Sequence, residues 1–101
     1  MKRWKELEQA VEEYLNLKGI SFLKITSYRC FRCGQVQNSK AAGFPDHHCP
    51  EYNLYIECKT GKGVLIKEQR IWKQKIEFNN RNTYILLKDN LDDLLDYFGD
   101  K

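Results

Sequence analysis

In the first eighteen residues apolar side chains return at the spacing of one helical stripe. Trp4, Leu7, Val11, Tyr14 and Leu15 predict a helix over 2–18 with these five residues facing a core. Gly19, directly after Lys18, marks its C-terminus. Residues 20–28 are rich in β-branched and aromatic side chains and predict a strand. Periodicity then lapses, so 29–43 reads as a loop. Two short strands are predicted at 44–47 and 53–60, joined by a turn holding Cys49, Pro50 and Glu51, and Gly61-Lys62-Gly63 marks a further turn. A helix over 66–79, a buried strand over 83–88 and a short helix over 90–98 complete the pattern. Leu91, Leu94, Leu95 and Phe98 carry the last helix, with Asp89 or Asn90 as its cap. The order αβββαβα predicts one small α/β domain over 1–101, a mixed sheet flanked by helices.

Length and composition narrow the classes further. A chain of 101 residues suits one domain with a modest core, which oligomerisation can supplement. At 42% hydrophobic and 31% charged it has the balance of a globular chain rather than a disordered one. The longest wholly apolar run, Tyr84–Leu87, is far below the roughly 20 residues that span a bilayer. Asp46-His47-His48-Cys49 spells the signature of palmitoyltransferases, but those are multi-span membrane enzymes, so the match reads as coincidence. Trp4-Lys5-Glu6-Leu7-Glu8 is charged where a signal core would lie, and four cysteines then suggest reduced thiols or metal in a cytoplasmic protein. A net charge of +3 permits a nucleic-acid partner without demanding one.

The densest chemistry lies in "PDHHCPEYNLYIECK", residues 45–59. On a strand Glu57 and Lys59 share a face while Cys58 takes the other. Pairing with the strand that carries Asp46 brings a second carboxylate beside Glu57. Two carboxylates supply hard oxygen ligands for Mg²⁺, which activates water and neutralises charge on a phosphate, and a nearby ammonium orients or deprotonates the water. The cluster therefore suits phosphodiester cleavage. Asp46 before a turn and Lys59 at a solvated strand end is the plainer alternative.

"PD" at 45–46 followed by "ECK" at 57–59 resembles the PD-(D/E)XK nuclease superfamily. "GFPD" and "ECKTGKG" followed by "KEQRIW" look like its VRR-NUC branch, and the small size resembles archaeal and phage Holliday-junction resolvases. The resemblance runs from the first helix to Lys88. It implies a Mg²⁺-dependent DNA endonuclease, with Mn²⁺ as a substitute, leaving a 5′-phosphate and a 3′-hydroxyl. Asp46, Glu57 and the Cys58 carbonyl would hold the metal, Lys59 would serve the water, and Glu8 and Gln69 would complete the site. A resolvase cuts two strands symmetrically, so that version requires a homodimer on a four-way junction. Nicking, restriction or repair on the same fold is the alternative task.

Helix geometry bears on two of these residues. Glu8 lies roughly 70° from the centre of the apolar stripe and Glu12 about 110° away, so Glu8 is the glutamate aimed most nearly inward. An ordinary exposed carboxylate is the plain reading of Glu8, and the VRR-NUC register places its glutamate at position 4, where this chain has Trp4. Gln69 shares a ridge with Leu65, Trp72 and Ile76, where an amide needs a polar partner.

Cys30-Phe-Arg-Cys33-Gly resembles a zinc knuckle that His47, His48 or Cys49 would complete. With Cys30, Cys33, His48 and Cys49 as ligands, structural Zn²⁺ defines a rival class, a noncatalytic nucleic-acid or protein-binding module. Cys58 reads as a small core residue. Lys62, Lys67, Arg70, Lys73, Lys75 and Arg81 either solvate a helix or track a DNA backbone. Ile71 and Phe78, on another side of that helix, would pack under the sheet or against a second copy.

Overall fold

The structure is a computed structural model and describes residues 4–24, 27–29, 36–38 and 43–101. Its elements are α1 (Trp4–Leu17), β1 (Leu23–Lys24), β2 (Ser27–Arg29), β3 (Val36–Asn38), β4 (His47–Cys49), β5 (Leu54–Lys59), α2 (Lys67–Phe78), β6 (Thr83–Lys88) and α3 (Asp92–Tyr97), with a 3₁₀ turn at Pro50–Tyr52. The chain is a small α/β domain with a mixed four-stranded sheet, order β1-β4-β5-β6.

Helix α1 buries Leu7, Val11 and Leu15 completely, with Glu8 beside them 4% exposed. Trp4, expected in the same stripe, is 44% exposed. Helical side chains lean toward the N-terminus, so a residue at the first position projects past the layer it was expected to cover. Gly19 ends the helix at φ 71°, a conformation glycine adopts without steric cost, and the Ile20 amide reaches back to the Leu15 carbonyl at 2.9 Å.

Strand β1 pairs antiparallel with β4, β4 pairs antiparallel with β5, and β5 runs parallel to β6 through the α2 crossover. The register sets His47 opposite Ile56 and Ile56 beside Ile85. Leu54, Ile56, Cys58, Ile85 and Leu87 therefore share one sheet face and form the core with α1 and with Leu94 of α3. Fully burying a side chain such as Leu54 or Ile56 contributes roughly 1.5–3 kcal/mol before entropy is counted. Tyr55, Glu57, Lys59, Tyr84 and Leu86 take the opposite face, beneath α2. Ile76 is the buried residue of α2, whereas Ile71 is 40% and Phe78 94% exposed.

Several predicted boundaries move. The single strand expected over 20–28 contains β1 and β2, which belong to different sheets. The loop expected over 29–43 contains β3, which pairs antiparallel with β2. Three-residue strands are too short to show a period. Strand β4 starts at His47 rather than 44, because Phe44, Pro45 and Asp46 lead into it, and Cys49 is its last residue instead of a turn residue. Leu91 occupies the cap position of α3, while the Asn90 side chain accepts a hydrogen bond from the Asp92 amide at 2.9 Å. No helix among the described residues is long and apolar enough to cross a membrane.

Candidate functional site

One step beyond the His47–Ile56 pair, the antiparallel register brings Asp46 opposite Glu57. Both carboxylates are buried, at 8% and 1% exposure. Pro45, also buried, fixes the entry to β4, and the Cys58 amide donates to Asp46 Oδ2 at 3.0 Å. That bond ties the Asp46 side chain to the neighbouring strand. Cys58 turns its thiol into the core, where burial and then the nearby Asp46, Glu8 and Glu57 carboxylates push its pKa up.

Gln69 holds Glu57 from α2. Its Nε2 donates to Glu57 Oε1 at 2.6 Å, and its Oε1 accepts from the Ile66 amide at 2.9 Å. The second bond satisfies an otherwise orphan amide at the start of α2, so one side chain caps the helix and fixes a carboxylate. Gly43 makes this closeness geometrically feasible. It has φ 82°, and a Cβ there would lie 2.4 Å from the Glu68 carbonyl carbon and 2.7 Å from the Gln69 nitrogen.

Lys59 follows Glu57 on the same face. Its backbone carbonyl accepts from the Asp89 amide at 3.0 Å, and Asp89 Oδ1 accepts from the Gly61 amide at 2.8 Å. Gly63 folds over the stem, where an added Cβ would lie 3.1 Å from the Thr60 carbonyl oxygen and 3.6 Å from Lys59 Cδ. The end of β5 and the turn after it are thereby clamped.

Glu8 enters from α1. Burial first, and the Asp46 carboxylate second, raise its pKa, while Lys24 opposes them. Glu8 thus lies within electrostatic range of Asp46, and three carboxylates from three separate elements share one region. Beside them is a group that sequence reasoning did not assemble. Lys24 Nζ sits 3.3 Å from Glu8 Oε1 and 3.0 Å from Glu12 Oε2, and His47 Nε2 lies 2.9 Å from the same Glu12 oxygen. Burial raises the Glu12 pKa, but the hydrogen bonds from His47 and Lys24 outweigh it and the net shift is downward. The Lys24 pKa is raised, chiefly by its hydrogen bond to Glu12. Ligand atoms of Glu8, Glu12 and His47 all lie within 4.8 Å of one another, and the Lys24 ammonium bridges the two carboxylates. The available sequence signal was the i, i+4 spacing of Glu8 and Glu12 on one ridge.

Carboxylate oxygens crowded by one another's charge form a donor set suited to a hard divalent cation. Of the expected Mg²⁺ ligands, Glu8, Asp46 and Glu57 share this region, while the donor atoms within 4.8 Å of one another among the described residues are those of Glu8, Glu12 and His47. The structure describes two of the four expected zinc ligands. Cys30 and Cys33 lie outside the described residues. His48 and Cys49, adjacent on β4, point to opposite faces: Cys49 is fully buried with its pKa pushed up to about 11 by burial, while the His48 ring stacks on Tyr55 at 4.2 Å.

Of the basic residues near α2, Arg70 Nη1 donates to the Leu65 carbonyl at 2.7 Å and Lys73 pairs with Glu77 at 2.7 Å. Lys75 lies over the Trp72 ring at 5.1 Å, and Lys62, Lys67 and Arg81 are exposed. No protein-family model, curated protein or solved structure matches this chain.

Proposed function

We propose that the protein is a metal-dependent DNA endonuclease that hydrolyses phosphodiester bonds. The observation that carries this reading is that the Cys58 amide ties the buried Asp46 to the strand bearing the buried Glu57, with Glu8 in electrostatic range of Asp46 and Lys59 following on the Glu57 face. Burying carboxylates is costly, and a fold that gathers three in one region suits a hard divalent cation.

In this reading Asp46, Glu57, Glu8 and the Cys58 carbonyl hold Mg²⁺, or Mn²⁺ in its place. When bound, the ion supplies Lewis-acid polarisation of the phosphate and acidifies its water. The chain's own residues do the positioning. The Cys58 amide fixes Asp46, and Gln69 fixes Glu57. Lys59 contributes an ammonium to orient the attacking water and offset charge on the phosphate. The resemblance of "GFPD" and "ECKTGKG" to the VRR-NUC branch, together with a small size like that of archaeal and phage Holliday-junction resolvases, supports a four-way junction as substrate, cut by a homodimer.

The test is an end-labelled four-way junction and its linear duplex arms, incubated with Mg²⁺ or EDTA, with the cuts mapped. Paired, symmetric, Mg²⁺-dependent nicks on the junction alone support the dimeric resolvase, while cleavage of the arms as well points to a broader nuclease. Full cleavage by both Asp46→Asn and Lys59→Ala would overturn the site, and binding without cleavage in either Mg²⁺ or Mn²⁺ would overturn the enzyme.

A further inference from the structure

The row of side chains next to the carboxylates is aromatic. On the sheet face that carries Asp46 and Glu57, the preceding row runs Leu23, His48, Tyr55, Tyr84 across β1, β4, β5 and β6. His48 and Tyr55 stack with ring centroids 4.2 Å apart and planes 10° from parallel. Phe44 meets Tyr55 edge-on at 6.0 Å and Trp72 edge-on at 5.1 Å, so the rings continue to α2. Helix α2 covers the β5 and β6 side of this face. Toward β1 the ring stack among the described residues ends at His48, whose cross-strand neighbour Leu23 is 54% exposed.

We infer that His48 and Tyr55 form a base-stacking subsite, on which an unpaired nucleobase adds at the His48 end of the stack, over the exposed Leu23, while its phosphate lies toward the carboxylate row. This inference rests on the nuclease reading and names the substrate feature it selects. Two residues along a strand span about 7 Å, so the aromatic and carboxylate rows are separated by about the reach of one nucleotide. Charge fits as well, because Lys59 extends the carboxylate face at one end and Lys75 overlies Trp72 at the other. An aromatic run flanked by ammonium groups matches a strand that is anionic along its backbone and π-faced at its bases. A base inside an intact duplex is already stacked on both sides. The subsite therefore favours DNA with a displaced or bulged nucleotide, or the unpaired crossover of a branch.

The probe is a duplex with one bulged 2-aminopurine, compared with the same duplex fully paired, titrated with the whole protein in Mg²⁺ while fluorescence is followed before appreciable cleavage. Stacking on the rings quenches the probe, and the wild-type protein is expected to bind the bulged duplex more tightly. His48→Ala is expected to lose the quench and about tenfold in affinity for the bulged duplex. Its affinity for the paired duplex should stay unchanged, and His48→Tyr should restore both properties. Tyr55→Leu, which removes the ring beneath His48, should behave like His48→Ala.

Equal binding of bulged and paired duplex by wild type, or a quench that persists in His48→Ala, would overturn the subsite. Cleavage of both duplexes that ignores His48 sinks the subsite and leaves the nuclease standing. Quenching that requires His48, in a protein that cuts neither these duplexes nor the four-way junction, confirms ring stacking and sinks the nuclease.

Discussion

Gln69 donates to Glu57 over 2.6 Å while accepting from the Ile66 amide over 2.9 Å, so the rotamer of a buried carboxylate is set by the first turn of a helix on another layer. Hydrogen bonds to charged groups are worth roughly 1.5–3 kcal/mol. Gln69→Ala should therefore cost about tenfold or more in Mg²⁺-dependent cleavage rate, together with about 1–2 kcal/mol of stability from the lost cap. Single-turnover cleavage and denaturant unfolding measure the two effects separately. Unchanged cleavage in a folded variant would show that Glu57 does not need this partner.

Gly43 should tolerate no side chain. At φ 82°, with backbone atoms of Glu68 and Gln69 only 2.4–2.7 Å from any added Cβ, Gly43→Ala must both strain the chain and push α2 away from the sheet. A loss of about 1–3 kcal/mol is expected from the backbone conformation alone. Cleavage should fall with it, because the displaced helix carries Gln69. Thermal unfolding checks the first effect and the cleavage assay the second.

Glu8 trades stability for charge. Its pKa is raised by burial and by Asp46, so the folded state holds that proton more tightly than the unfolded chain. Stability therefore falls as pH rises from the ordinary glutamate value through the folded one, and the penalty is complete above it. Glu8→Gln should raise the unfolding midpoint at about pH 7 with little gain at about pH 3, where Glu8 is protonated in both the folded and the unfolded chain. The same variant should lose cleavage. A midpoint gain equal at both pH values would show that the effect is not this carboxylate's titration.

Asp100 works in the opposite sense at the other end of the chain. Lys18 Nζ, 2.6 Å away, and the Tyr14 hydroxyl both donate to it and hold its carboxyl below the ordinary aspartate value. A depressed carboxylate stabilises the fold above its unfolded pKa, and that contribution is lost as pH falls through the folded one. Asp100→Asn should lower the melting temperature at about pH 6 and leave it nearly unchanged at about pH 2. Because the carboxylate is exposed, added salt should shrink the difference.

The most legible parts of the sequence were those whose periodicity and pairing are local. Strand β6 is buried on alternate residues and starts and ends where its pattern does. Gln69 betrayed itself as an amide on an apolar ridge, and strand alternation places Glu57 on the face opposite the core residue Cys58. The division of 20–28 between two sheets was hidden, since it depends on which distant strands β1 and β2 pair with. The joining of Lys24, Glu12 and His47 was hidden for the same reason: Lys24 reaches the cluster because β1 pairs with β4, a contact whose partners Lys24 and His47 are 23 positions apart. Nothing in the local pattern around Lys24 distinguishes it from a solvated lysine.

The 3₁₀ turn at Pro50–Tyr52, closed by Asn53 at φ 50°, sets the phase between β4 and β5. Shifting that phase by one residue exchanges the two faces of a strand. A single-residue insertion carried into the pairing would put His47 where Asp46 now meets Glu57, while the sheet kept its hydrogen bonds. The turn thus acts as a parity lock: the protein can lose its chemistry here by miscounting once, without losing its fold.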